Sequence, residues 1–126
     1  MQKGATILIV DDEEEIGFML KMMLEHKGFA VIVTNRAEPV EEILKNNQVD
    51  LVVLDMLIAG VKGTDVCASL KENAATVHIP VLMITALPDA ESVCRLAGAD
   101  DFVSKPFEMA EILFKVNHLT QKMQKV

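Results

Sequence analysis

Tryptophan and tyrosine are absent from the chain, and cysteine occurs only twice. Cys67 and Cys94 make no metal-ligand spacing, and each lies among apolar residues at helical spacing, so packing is the role expected of them. Basic residues are outnumbered: 12 Lys and Arg stand against 19 Asp and Glu, for a net charge of −7. Direct binding of nucleic acid or of an anionic membrane needs a basic face, which this balance does not supply. No apolar run approaches the length that spans a bilayer, and the N-terminus lacks the apolar stretch of a secretory signal. A cytoplasmic protein is the expectation. Low-complexity segments, linkers and internal repeats are missing too.

What remains is an apolar, foldable chain. Its 126 residues, 51% of them hydrophobic, fit one domain over residues 1–126, with a core from about 6 to 120. Four short runs rich in Val and Ile suit strands buried on both faces: Ile7–Val10, Leu51–Leu54, Val81–Ile84 and Phe102–Val103. Ala30–Thr34, after Gly28, is a further strand candidate. Helical periodicity falls between them. Ile16, Met19, Leu20, Met23 and Leu24 mark one helix, and Val40, Ile43 and Leu44 after Pro39 a second. Val66 and Leu70 mark a third, and residues 89–97, closed by Gly98, a fourth. Pro106 is expected to open a fifth, with Met109, Ile112, Leu113 and Val116 on one face. Strand and helix alternate five times, which points to an α/β fold with a parallel sheet covered on both sides.

Polar residues fall at the ends of the strands. Asp11 and Asp12 follow the first run, Asp55 follows Leu51–Leu54, Thr85 follows Val81–Ile84, and Lys105 closes the last. Ligands of open α/β sheets bind at the carboxyl ends of strands, so three carboxylates, a hydroxyl and an ammonium would converge on one edge. Crowded carboxylates repel one another and call for a hard cation, and Mg²⁺ fits such oxygen ligands best. A carboxylate can also act as a nucleophile toward phosphorus, with Lys105 and Thr85 available to phosphoryl oxygens. Taken singly, each residue has a plainer explanation. Asp12 or Glu13 could begin the first helix and Thr85 the fourth, as caps or turn residues. It is their joint occurrence at strand ends that argues for chemistry.

These residues stand in segments that resemble the response-regulator receiver family: ILIVDDEEE, LVVLD with Gly63 beyond it, VLMITA and GADDFVSKPF. The likeness runs from Ile7 to about Thr120. It implies a flavodoxin-like (βα)5 three-layer sandwich with a parallel five-stranded sheet in the order 2-1-3-4-5. It further implies that Asp55 accepts a phosphoryl group, while Asp11, Asp12, Asp55 and the backbone carbonyl of Leu57 hold Mg²⁺. Thr85 and Lys105 would contact the attached group, Phe102 would be an aromatic switch residue, and the Lys105–Pro106 bond would be cis. The implied donor is a sensor histidine kinase or a histidine phosphotransfer protein. Such a chain is not a turnover enzyme, although it promotes its own phosphorylation and dephosphorylation.

Several features depart from that pattern or stand outside it. After Asp55 the chain reads MLIAGVKG, with Ala59 where the family often has Pro and Lys62 where it often has an acid, so a looser loop is expected. The stretch from Thr85 to Lys105 is slightly short and carries Pro88. Phe18 and Met22 on the first helix and Phe114 on the last lie off their core stripes, where a partner helix or a second copy could cover them. The eight methionines read as core filler, and His26, His78 and His118 have no ligand spacing. Three rival functions remain. A flavodoxin would need a hydroxyl- and glycine-rich phosphate loop after the first strand, which is acidic here. A dehalogenase-like hydrolase needs a second Asp two residues after its nucleophile, where Leu57 stands. A pseudo-receiver would bind partners without being phosphorylated.

Overall fold

The computed structural model describes residues 4–87 and 90–124. Pro88 and Asp89, on which the expected start of the fourth helix fell, lie outside the described residues. The elements run β1 (Thr6–Val10), α1 (Glu14–His26), β2 (Ala30–Thr34), α2 (Val40–Asn46), β3 (Leu51–Asp55), β4 (Leu57–Ile58) and β5 (Val61–Lys62). They continue with α3 (Gly63–Glu72), β6 (Val81–Thr85), α4 (Glu91–Leu96), β7 (Asp101–Ser104) and α5 (Met109–Gln124). Five strands form one parallel sheet in the order β2-β1-β3-β6-β7. Counting only its own strands, that order is 2-1-3-4-5, as the sequence implied.

Successive strand residues point to opposite faces, so a sheet covered on both sides needs apolar side chains at every position. Leu8, Val10, Val52, Leu54, Val81 and Met83 pack on one face against Leu44, Cys67, Leu70 and Cys94 of α2, α3 and α4. Ile7, Ile9, Leu51, Val53, Leu82 and Ile84 pack on the other against Leu20 and Leu24 of α1 and Ile112, Val116 and Leu119 of α5. Each fully buried aliphatic side chain contributes roughly 1.5–3 kcal/mol. Truncating Leu54, which is fully buried in β3, to alanine would cost about 2–5 kcal/mol. Both cysteines are buried and free, and burial pushes the Cys67 thiol up to about 11. Among the described residues, no helix is long and apolar enough to cross a membrane.

Three boundaries differ from the sequence expectation. The fifth helix starts at Met109 rather than at Pro106. The Glu108 carbonyl opens its hydrogen-bond ladder, accepting from the Glu111 and Ile112 N–H groups, while Phe107 packs against the α1/α5 core. The described part of the fourth helix is short, Glu91–Leu96, and Ala97 caps it. The stretch after Asp55 is not loose. It forms a small antiparallel hairpin, pairing Leu57 with Lys62 and Ile58 with Val61. Its two loop residues, Ala59 at φ 49° and Gly60 at φ 86°, have the paired positive φ that suits a tight hairpin turn. Gly63 begins α3 directly against Asp55, since a Cβ there would overlap the Asp55 carbonyl oxygen.

Candidate functional site

The carboxyl ends of β1, β3 and β6 open into one cavity of about 620 Å³, whose lining includes Asp12, Glu13, Asp55, Thr85, Leu87 and Lys105. Parallel pairing sets this convergence, because Val10 lies beside Leu54 and Asp55 beside Ile84. The residue just beyond β1 therefore brings Asp11 to Asp55. Asp11, Asp12 and Asp55 each offer a carboxylate oxygen within 4.8 Å of the others. Asp11 and Asp55 are buried, whereas Asp12 is exposed.

Each acid is held differently. Asp11 Oδ1 accepts the Glu13 N–H at 2.9 Å, while its Oδ2 is buried without a hydrogen-bond partner among the described residues. Asp12 Oδ2 accepts the Ala59 N–H of the hairpin at 2.8 Å. Asp55 Oδ1 accepts its neighbour's N–H, from Met56, at 2.8 Å. Lys105 Nζ supplies the countercharge, 2.7 Å from Glu13 Oε1, 3.4 Å from Asp55 Oδ2 and 3.9 Å from Asp11 Oδ2. Its own N–H donates to the Thr85 carbonyl at 2.6 Å, which fixes the end of β7 beside β6.

The charges strain against burial. Burial lifts the Asp11 carboxyl from 3.8 to about 6, and the nearby Asp55 charge adds to the rise. Lys105 and the Glu13 N–H oppose it. The Asp55 carboxyl is raised as well, first by burial, with Lys105 pulling the other way. Burial disfavours the charged form of Lys105, but the Glu13 hydrogen bond and the Asp11 and Asp55 charges outweigh it and leave its pKa raised. An orphaned buried carboxylate oxygen beside two further carboxylates suits a hard cation with oxygen ligands.

Other expected residues take up these places. Thr85 is fully buried, and its hydroxyl oxygen accepts the Leu87 N–H at 3.0 Å. The Leu57 side chain is exposed at the cavity. The Lys105–Pro106 peptide is cis. The half-buried Phe102 ring packs against the α3/α4 side of the core, with Lys115 Nζ 5.5 Å and the Arg95 guanidinium 5.8 Å from its centroid. Phe18, Met22 and Phe114 are exposed by 63%, 56% and 71%. Phe18 shares a hollow with Val33 and Thr34 of edge strand β2, whereas Ile16 and Met19 share theirs with Pro106 and Phe107.

Two site features escaped sequence reasoning. Glu13 was a candidate helix-starter, yet its side chain makes the shortest contact to Lys105. The Ala59 N–H bond to Asp12 depended on the hairpin, whose only local signal was Gly60 in a short turn between Leu57-Ile58 and Val61-Lys62.

A parallel sheet of this order, with an acidic, lysine-bearing cavity at its carboxyl edge, defines a flavodoxin-like α/β domain with a cation- and anion-compatible site. Residues 7–117 match the family model described as the response regulator receiver domain, and the chain belongs to that family. It is 36% identical over 118 residues to the phosphate regulon transcriptional regulatory protein PhoB of Rhizobium meliloti, covering 92% of this chain and 52% of that one. It is also 36% identical over 120 residues to the heme response regulator HssR of Staphylococcus saprophyticus, at 93% and 52% coverage. The chain thus spans about half the length of these curated relatives. Among solved structures, the signal receiver domain of a DNA-binding response regulator from Colwellia psychrerythraea superposes with a TM-score of 0.85 at 26% identity, covering 93% of this chain and 98% of that one. Membership in this family sets aside the flavodoxin and dehalogenase-like readings.

Proposed function

We propose that this chain is a phosphoacceptor receiver that takes a phosphoryl group from a phosphohistidine onto Asp55. The observation that carries the reading is the placement of Asp55 in the cavity, with Asp11 and Asp12 on one side and Lys105 Nζ 3.4 Å from its Oδ2. An Asp55 oxygen attacks phosphorus, an O–P bond forms, the N–P bond to the donor imidazole breaks, and its electron pair returns to that ring. Lys105 is in reach of the transferred oxygens. Asp11, Asp12, Asp55 and the Leu57 carbonyl would hold Mg²⁺, which neutralises charge on the transferring group when bound. The donor is a sensor histidine kinase or a histidine phosphotransfer protein. Thr85, drawn toward the new oxygens, would vacate space for the Phe102 ring and reshape the surface beside α4.

Incubation with acetyl phosphate and Mg²⁺ is expected to add one phosphoryl mass that hydroxylamine removes. Asp55→Asn is expected to lose the adduct. An adduct of equal yield in that variant would refute the assignment. A wild-type protein that takes no label would turn the reading to a pseudo-receiver that only binds partners.

A further inference from the structure

We infer that Glu13 is a positioning residue that competes with Asp55 for the Lys105 ammonium and so restrains the capture of a phosphoryl-like anion. The inference rests on the reading of Asp55 as the phosphoacceptor. Lys105 Nζ is closest to Glu13, at 2.7 Å, and stands 3.4 Å from Asp55 and 3.9 Å from Asp11. The ammonium is largely buried and the carboxylate that holds it is not, with side-chain exposures of 16% and 57%. Glu13 therefore draws the charge toward the mouth of the cavity, which it lines.

The Glu13 side chain is free for this task. The residue sits at the N-cap of α1, where a short polar side chain would usually satisfy a helix N–H, yet it makes no side-chain cap bond. Its backbone is pinned by a bond from its N–H to Asp11 Oδ1 and by its carbonyl, which accepts the Gly17 N–H at 3.1 Å. The carboxylate is thus delivered to Lys105 from a fixed base. A tetrahedral anion on Asp55 would need donors from the same ammonium and would face the Glu13 charge across it. Both effects have one sign, so removing the carboxylate favours the anion.

The test uses beryllofluoride with Mg²⁺ as the probe and three variants. Glu13→Gln is expected to bind the probe about three- to fivefold more tightly than wild type, the upper end of the scale of a partly exposed ion pair. Glu13→Asp keeps the charge but shortens the reach, and is expected to fall between the two. Glu14→Gln removes a neighbouring charge that does not touch Lys105, and is expected to leave the affinity within about twofold. The 13Cε resonance of Lys105 in the anion-free protein is expected to shift in Glu13→Gln and not in Glu14→Gln. Equal tightening by both Gln variants would reduce the effect to bulk charge and overturn the inference, as would weaker binding in Glu13→Gln. If wild type bound no probe and took no label from acetyl phosphate, the phosphoacceptor reading would fall and the competition with it. A Lys105 resonance that still responded to Glu13→Gln would then show that the contact itself survives.

Discussion

Asp11 carries an electrostatic burden, because it is buried and its Oδ2 has no hydrogen-bond partner among the described residues. Its folded pKa of about 6 lies above the ordinary 3.8, so between those values the folded chain holds a proton that the unfolded chain has released. Stability from this group is present at low pH and is lost as pH rises from about 4 to about 6. In a chelated sample, Asp11→Asn is therefore expected to be more stable than wild type at pH 7.5, by on the order of 1–3 kcal/mol. The advantage should vanish near pH 4. The substituted amide oxygen can still accept the Glu13 N–H. Urea unfolding at the two pH values measures the difference, and a pH-independent gap would mean that Asp11 ionisation is not its source. Added Mg²⁺ is expected to stabilise wild type and leave the variant almost unmoved, because the substitution removes the carboxylate proposed to bind the ion.

Among the elements, the β4–β5 hairpin has the most to say about the site, since its turn supplies the Ala59 N–H that Asp12 accepts. Ala59 sits at φ 49°, where a Cβ costs about 1–2 kcal/mol and glycine avoids that cost at the expense of more unfolded-state freedom. Ala59→Gly is expected to stabilise the protein by up to about 1 kcal/mol and to keep the bond to Asp12. Ala59→Pro fixes φ near −65° and removes the N–H, so it is expected to cost about 2 kcal/mol or more. Thermal melts of the two variants should move in opposite directions; a proline variant as stable as wild type would mean that the turn relaxes freely.

The three central strands, β1, β3 and β6, were legible in the sequence because a doubly covered sheet calls for continuous buried aliphatic runs, whereas the edge strands β2 and β7 are partly exposed and left a weaker signal. The convergence of Asp11, Asp55, Thr85 and Lys105 was legible for the same reason, each being the residue at or just beyond a strand end. The hairpin was not, since two-residue strands carry almost no periodicity. Nor was the late start of α5, where the first helical carbonyl belongs to Glu108 and Phe107 serves the core instead. The Glu13–Lys105 contact spans 92 positions and depends on a side-chain rotamer, which no local pattern encodes.

Over the whole molecule, the sheet separates two sets of helices, α2, α3 and α4 from α1 and α5. Thr85 ends β6, beside Ser104 of β7, and Phe102 lies two residues earlier on β7 with its ring on the α3/α4 side. A change at Thr85 thus has a short path to the surface near α4. With beryllofluoride as the phosphoryl stand-in, backbone chemical shifts are expected to move through residues 90–104 in wild type. In Thr85→Ala they are expected to stay near Asp55, and an equal spread in both proteins would place the coupling elsewhere. Gly63 adds a constraint of another kind. Because its missing Cβ lets α3 begin against the Asp55 carbonyl, that position admits a vocabulary of one residue. Any heavier letter would move α3 or the end of β3. Substitution in this chain is therefore expected to be tolerated on the exposed outer helix faces, while the junction between β5 and α3 admits none.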